Sequence, residues 1–401
     1  MAQTEEIAGV TPEAPEPRSG GWPAVVAVAG ATFTVVTSEM LPVGLLTPIG
    51  DALRVTEGTA GLTLTITGLV GAVSAPLLTP ALGRFDRRPV LCGLMAVLIV
   101  GNLLAAWSPH FAVMVAARVL VGIGMGGVWA IAAGLAVRLV PSKSVAPATS
   151  LVFSGIAVAS VLGVPAGTYI GELADWRTAF VTIAGLALVV LLALAVLLPK
   201  LPAEQEIRLG GVLRLVGDPR VATGLGVVLL LVTGHFAAYT YVRPALEEIS
   251  GASASVIGTL LLVYGVAGVL GNFASGAVAS RTPRGALLAI SLVLAATVCL
   301  MPLIGGSVVT ATVLLAVWGV SYGGVSVATQ TWLLAAAPEA RESASALFVG
   351  VFNGSIALGA FVGGLAADGA GIEAVMYLGA ALAVGALLVT ALGKAPAAGR
   401  L

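Results

Sequence analysis

A single carboxylate interrupts the apolar segment Thr34-Val35-Val36-Thr37-Ser38-Glu39-Met40-Leu41-Pro42-Val43-Gly44-Leu45-Leu46. Of the nineteen acidic residues, Glu39 alone falls outside tails, loops and the ends of apolar runs. An ionised group at the centre of a bilayer costs about 2.5–3.5 kcal/mol on insertion scales, so such a residue is retained for a use. The one arginine within an apolar run is Arg118, in Arg118-Val119-Leu120-Val121-Gly122-Ile123-Gly124. An acid held alternately near to and far from a cation takes up and releases a proton; the competing reading is a static buried pair that fixes helix register. His235 precedes Tyr239 by four residues on one helical face, either a titrating ring beside a hydrogen-bonding phenol or a simple interhelical tether. Trp129, Gln330, Trp332 and Asn353 are further candidates to stack on or hydrogen-bond a ligand. Trp332 reads equally as an interfacial anchor and Asn353 as a tether between helices.

The elements that carry these residues follow from composition. With 58% hydrophobic and 9% charged residues in 401, the chain is too apolar for a soluble domain, where about 25% are charged. Apolar stretches near 23–49, 59–82, 89–107, 111–140, 145–170 and 178–198, then 221–246, 254–279, 285–305, 308–336, 343–366 and 371–393, are each long enough to cross a hydrocarbon core of about 30 Å as a helix. An all-α integral membrane protein of twelve spans is therefore expected, with both termini on one side. Of the nineteen Lys and Arg, fifteen precede span 1 or follow even-numbered spans, which makes that side cytoplasmic. Residues 1–22 are acidic and proline-rich and read as a disordered tail rather than a signal peptide. Cys92 and Cys299 fall near opposite faces and are not expected to form a disulfide. No basic patch suggests nucleic acid.

The chain also repeats itself. Gly122-Ile123-Gly124-Met125-Gly126-Gly127 in span 4 has the spacing of Gly319-Val320-Ser321-Tyr322-Gly323-Gly324 in span 10, 197 positions on. Gly163 and Gly167 match Gly359 and Gly363 at an offset of 196, as Arg88 matches Arg284. Six spans per copy give two six-helix bundles in the same orientation, 23–199 and 220–394, joined by a charged linker over 200–219 and followed by a short tail over 395–401.

These features resemble the major facilitator superfamily, and within it the twelve-span drug:proton antiporters. Glu39 to Leu46 looks like the first span of bacterial sugar efflux transporters, purine ribonucleoside efflux pumps and chloramphenicol exporters. Arg118 to Gly124, Gly163-Val164-Pro165-Ala166-Gly167 with Trp176-Arg177, and Tyr239-Thr240-Tyr241-Val242-Arg243-Pro244 agree with the same family. The resemblance implies that Arg118 takes part in proton coupling and that Gly163, Pro165 and Gly167 belong to a gating motif of antiporters. Where that motif carries paired glycines, this chain has Gly167-Thr168; where the loop after span 2 normally places an aspartate, it has Gly83, with Asp86 ahead of Arg87 and Arg88. Arg87 and Arg88 are still candidates for a cytoplasmic gate.

The expectation is a proton-coupled exporter in a bacterial inner membrane, monomeric and without a cofactor, driven by the proton gradient. Glu39, Arg118 and His235 would couple protons; Glu39, Trp129, His235, Tyr239, Gln330, Trp332 and Asn353 would line the site for a small neutral or amphipathic solute such as a sugar, nucleoside or drug. A proton symporter importing a nutrient and a transporter-like receptor are the alternatives. Two histidines, one of them in a loop, offer no metal cluster, no loop suits ATP, and the span 7 duplicate of Glu39 carries no acid, which argues against a channel built from repeated pore elements.

Overall fold

The computed structural model describes residues 21–82, 84–141, 144–202 and 213–396. Most of the expected tails, the middle of the linker, Gly83 and Lys143 lie outside the described residues. Twelve spans are present among those described. They begin with α1 (Gly21–Leu53), α2 (Glu57–Ala81), α3 (Arg87–Ala106) and α4 (Phe111–Leu139). The fifth span is α5 (Val145–Val158) and α6 (Val164–Leu173), joined by a π-helical turn at Ala159–Gly163, and α7 (Trp176–Leu197) ends the first half. The second half holds α8 (Pro219–Tyr239), the short α9 (Val242–Glu248), α10 (Ala254–Ala279), α11 (Pro283–Ile304), α12 (Val308–Gly323), α13 (Val325–Ala336), α14 (Arg341–Ala370) and α15 (Ile372–Leu392).

Three spans expected to be continuous are broken, each with a local cause. Pro165 has no N–H for the carbonyl of Val161 and its ring crowds that turn, and the π turn just before it widens the helix. Pro244 cannot bond the carbonyl of Thr240, so the stretch read as 221–246 stops at Tyr239 and restarts as α9. Gly323-Gly324 divides the tenth span into α12 and α13.

The duplication is visible in three dimensions. Arg88 at the start of α3 donates to the carbonyl of Ala195 near the end of α7, and Arg284 donates to that of Ala391 near the end of α15. Both pairs are 107 residues apart, so the same tie is made once in each half. Because the spans are even in number, both described chain ends lie on one face, here the terminal face; the opposite one is the far face. Helix α1 is apolar nearly all round and correspondingly buried. Its Leu41, Leu45 and Ile49 pack on first-half residues, while Val43 and Leu46 join the core of the second half.

Hydrogen bonds between the halves gather at the far face. Thr47 donates to Glu247 (2.6 Å), Thr56 and the amide of Gly58 to Asp368 (2.8 and 3.0 Å), Arg243 to Glu172 and to the carbonyl of Gly44 (2.8 Å each), and Tyr169 pairs with Thr259. Backbones also approach there, with Gly58 against Gly364. Towards the terminal face the polar contacts join residues of one half: Arg87 to Leu82 and Leu201, Arg138 to Pro202, Trp332 to Arg220. The far face is closed and the halves are stitched across it.

Candidate functional site

Helix α1 places Glu39 at its midpoint, where the side chain is 4% exposed. Its Oε1 is buried without a hydrogen-bond partner. The residue that shapes this point is Pro42. In a regular helix the N–H of residue 42 bonds the carbonyl of residue 38; a proline has none to give. The vacancy is filled from α4. Arg118 is fully buried, and its Nη2 donates to the carbonyls of Ser38 (3.1 Å) and Glu39 (3.2 Å). Its Nε donates to the Thr63 carbonyl (3.2 Å) and Thr67 Oγ1 (2.9 Å) on α2. Nη1, like Glu39 Oε1, has no partner. The two side chains thus lie within electrostatic reach of each other but form no ion pair. The guanidinium is committed to the main chain of α1, leaving the carboxylate free.

Across from α1, the second half presents an aromatic cluster. His235 stacks on Tyr322 (3.3 Å between ring centroids, 10° between planes) and on Tyr239 (5.0 Å, 19°), with Tyr264 stacked on Tyr239 at 4.6 Å. Trp318 donates its indole N–H to His235 Nδ1 (3.0 Å). An indole nitrogen is donor only, so Nδ1 is an acceptor and the imidazole proton sits on Nε2, which faces the Tyr264 hydroxyl at 3.4 Å. A second proton on this ring would set N–H against N–H at Trp318. His235 is therefore held neutral as a structural link in this arrangement, and proton uptake by it requires the Trp318 contact to break. Tyr322 Oη is buried without a partner and within electrostatic reach of Glu39. Tyr264, Trp318 and Tyr322 escaped the sequence reading, although Trp318 and Tyr322 share the four-residue spacing that marked His235 and Tyr239.

The remaining candidates are dispersed. Trp129 is half-buried against first-half core residues, Gln330 is exposed on α13, and Asn353 donates to its own helix at Val349 (2.9 Å). Trp332 is fully buried, donates to the Arg220 carbonyl (3.0 Å) and packs on Gly224, which makes it a brace between α13 and the start of α8. Gly163 and Gly167 let α5 and α6 approach Thr37 and Leu41 of α1, where a Cβ would collide, and Pro165 follows the π turn. Arg87 and Arg88 both serve first-half carbonyls, and Asp86 caps α3 by accepting from the Arg88 amide (2.9 Å).

Comparison with known proteins accords with this architecture. The chain is 36% identical over 392 residues to the transcription regulatory protein OpdE of Pseudomonas aeruginosa, covering 96% of this chain and 97% of OpdE. It is 32% identical over 371 residues to the purine ribonucleoside efflux pump NepI of Shigella sonnei, covering 92% and 94%. Among solved structures, a bacterial homologue of the human lysosomal transporter Spinster, captured inward-facing and occupied, superposes with a TM-score of 0.72 at 15% identity over 92% of this chain and 95% of that one. The family model described as Major Facilitator Superfamily matches residues 28–245 and 224–400, and with twelve spans in two six-helix halves the chain belongs to that superfamily of membrane transporters.

Proposed function

We propose that this protein is a proton-coupled exporter of small neutral or amphipathic molecules, working by alternating access in a bacterial inner membrane with both termini in the cytoplasm. The observation that carries the reading is the free carboxylate: Glu39 Oε1 is buried without a partner while Arg118 is spent on main-chain carbonyls beside it. A buried acceptor left unpaired costs about 1–3 kcal/mol, a cost removed by a proton or by a donor on a substrate. The two compete for one oxygen, so a proton entering from outside displaces substrate outward. The unpartnered Nη1 of Arg118 supplies the second position, since a small shift of α1 against α4 that brings it to Oε1 favours release of the proton. With the arginine-rich terminal face in the cytoplasm, the stitched far face makes this an inward-facing form. Similarity to NepI supports export and admits a nucleoside among the substrates. No cofactor enters the cycle, and the site lies within one chain, so a monomer suffices.

The test is purified protein in liposomes with an internal pH dye, challenged with sugars, nucleosides and phenicol drugs. Substrate-dependent proton movement is expected in the wild type and absent in Glu39→Gln; equal substrate movement in both, without proton flux, refutes the coupling. Similarity to OpdE favours one second reading, a transporter-like sensor, which predicts ligand binding without transport in the same vesicles.

A further inference from the structure

Pro48 repeats what Pro42 does, six residues further along α1. It leaves the carbonyl of Gly44 without its helical donor, and again a buried arginine supplies one, this time from the opposite half: Arg243 Nη1 donates to Gly44 O at 2.8 Å. A second donor already waits. Thr168 Oγ1 on α6, fully buried, bonds the Val164 carbonyl at 2.9 Å and lies 3.4 Å from the same Gly44 oxygen. Gly44 permits this closeness, since a Cβ there would strike the threonine hydroxyl.

We propose that Gly44 O is handed from Arg243 to Thr168 when the far face opens, which makes these two residues alternate positioning groups of the transport cycle; the proposal rests on the alternating-access reading above. Separation of the halves breaks Arg243–Gly44, Arg243–Glu172 and Thr47–Glu247. It spares the ion pair of Arg243 Nε with Glu247 (2.9 Å), because both belong to α9. Arg243 therefore keeps a counter-charge, and Glu172, already 27% exposed, passes to water. The Gly44 carbonyl has no such exit, being buried inside the first half, and an orphaned carbonyl would resist opening. Rotation of the Thr168 hydroxyl from Val164 to Gly44 relieves it at the expense of a bond that Val164 can spare, since the carbonyl of a helical residue has its own amide partner.

The two residues then act with opposite sign. Spin labels at His110→Cys and Gly306→Cys, in far-face loops of the two halves and in a background without Cys92 and Cys299, report the opening by pulsed dipolar spectroscopy in nanodiscs. The wild type should give mainly the short distance. Arg243→Gln should raise the long-distance fraction about tenfold, and adding Thr168→Val should bring it down again. Glu172→Gln, which leaves Arg243 paired with Glu247, should move the fraction in the same direction as Arg243→Gln by a smaller amount and serves if that variant fails to fold. An unchanged distribution in Arg243→Gln or Glu172→Gln, or an opened fraction indifferent to Thr168→Val, overturns the proposal. The distances are read without substrate or proton gradient, so the result is independent of the Glu39→Gln assay.

Discussion

If Arg118 serves the backbone of α1 rather than the carboxylate, its worth should depend on Pro42 more than on Glu39. Arg118→Met keeps the length of the side chain and removes the guanidinium, leaving the carbonyls of Ser38, Glu39 and Thr63 short of a donor. At about 1–3 kcal/mol per buried orphan, with the helical carbonyls of Glu39 and Thr63 retaining their own amide partners, the loss should be roughly 3–5 kcal/mol. Pro42→Ala restores an N–H aimed at Ser38, so in that background Arg118→Met should cost roughly 1–2 kcal/mol less. The Glu39→Gln and Arg118→Met pair should show a smaller coupling, because no bond joins those side chains in this form. Both cycles are measurable by denaturant titration in micelles, followed by tryptophan fluorescence. Additivity of Pro42→Ala and Arg118→Met within about 0.5 kcal/mol would refute the argument, as would a larger coupling of Arg118 to Glu39 than to Pro42.

Further predictions concern the aromatic cluster and the brace. Tyr322→Phe removes a hydroxyl that no protein group uses and leaves the stack on His235, so stability should hold while the KM of a transported substrate that engages it rises up to tenfold; an unchanged KM places substrate elsewhere. His235→Phe strands the Trp318 N–H and should destabilise by about 1–3 kcal/mol while leaving proton movement intact, which pH-dye traces would show. Trp332→Phe should cost about 1 kcal/mol in unfolding experiments and leave KM unaltered, since its indole braces the start of α8.

Sequence legibility followed the range of the interaction. Hydropathy is a local property, and twelve spans, the duplication and the two-bundle fold could all be read from it, with superfamily membership from short motifs. The lone acid at Glu39 was conspicuous for the same reason. The breaks at Pro165 and Pro244 were written in the chain but passed over, because an apolar run hides a missing N–H from any hydropathy count. What could not be read was partnership. Arg118 was expected as the electrostatic companion of Glu39, and nothing local says that its nitrogens turn instead to carbonyls 79 and 80 positions away. Tyr322 was seen as part of a glycine motif; its stacking on a ring 87 positions earlier exists only in the folded molecule.

The π turn at Ala159–Gly163 has a consequence for how this protein tolerates change. It is a matter of residue count: removing one residue there would restore a regular helix and turn everything beyond it by about 100°. Thr168 would swing away from Gly44, and Gly167 from Leu41, with no side chain altered. Length in this segment is therefore constrained more tightly than identity, and a single-codon deletion should be harsher here than most substitutions.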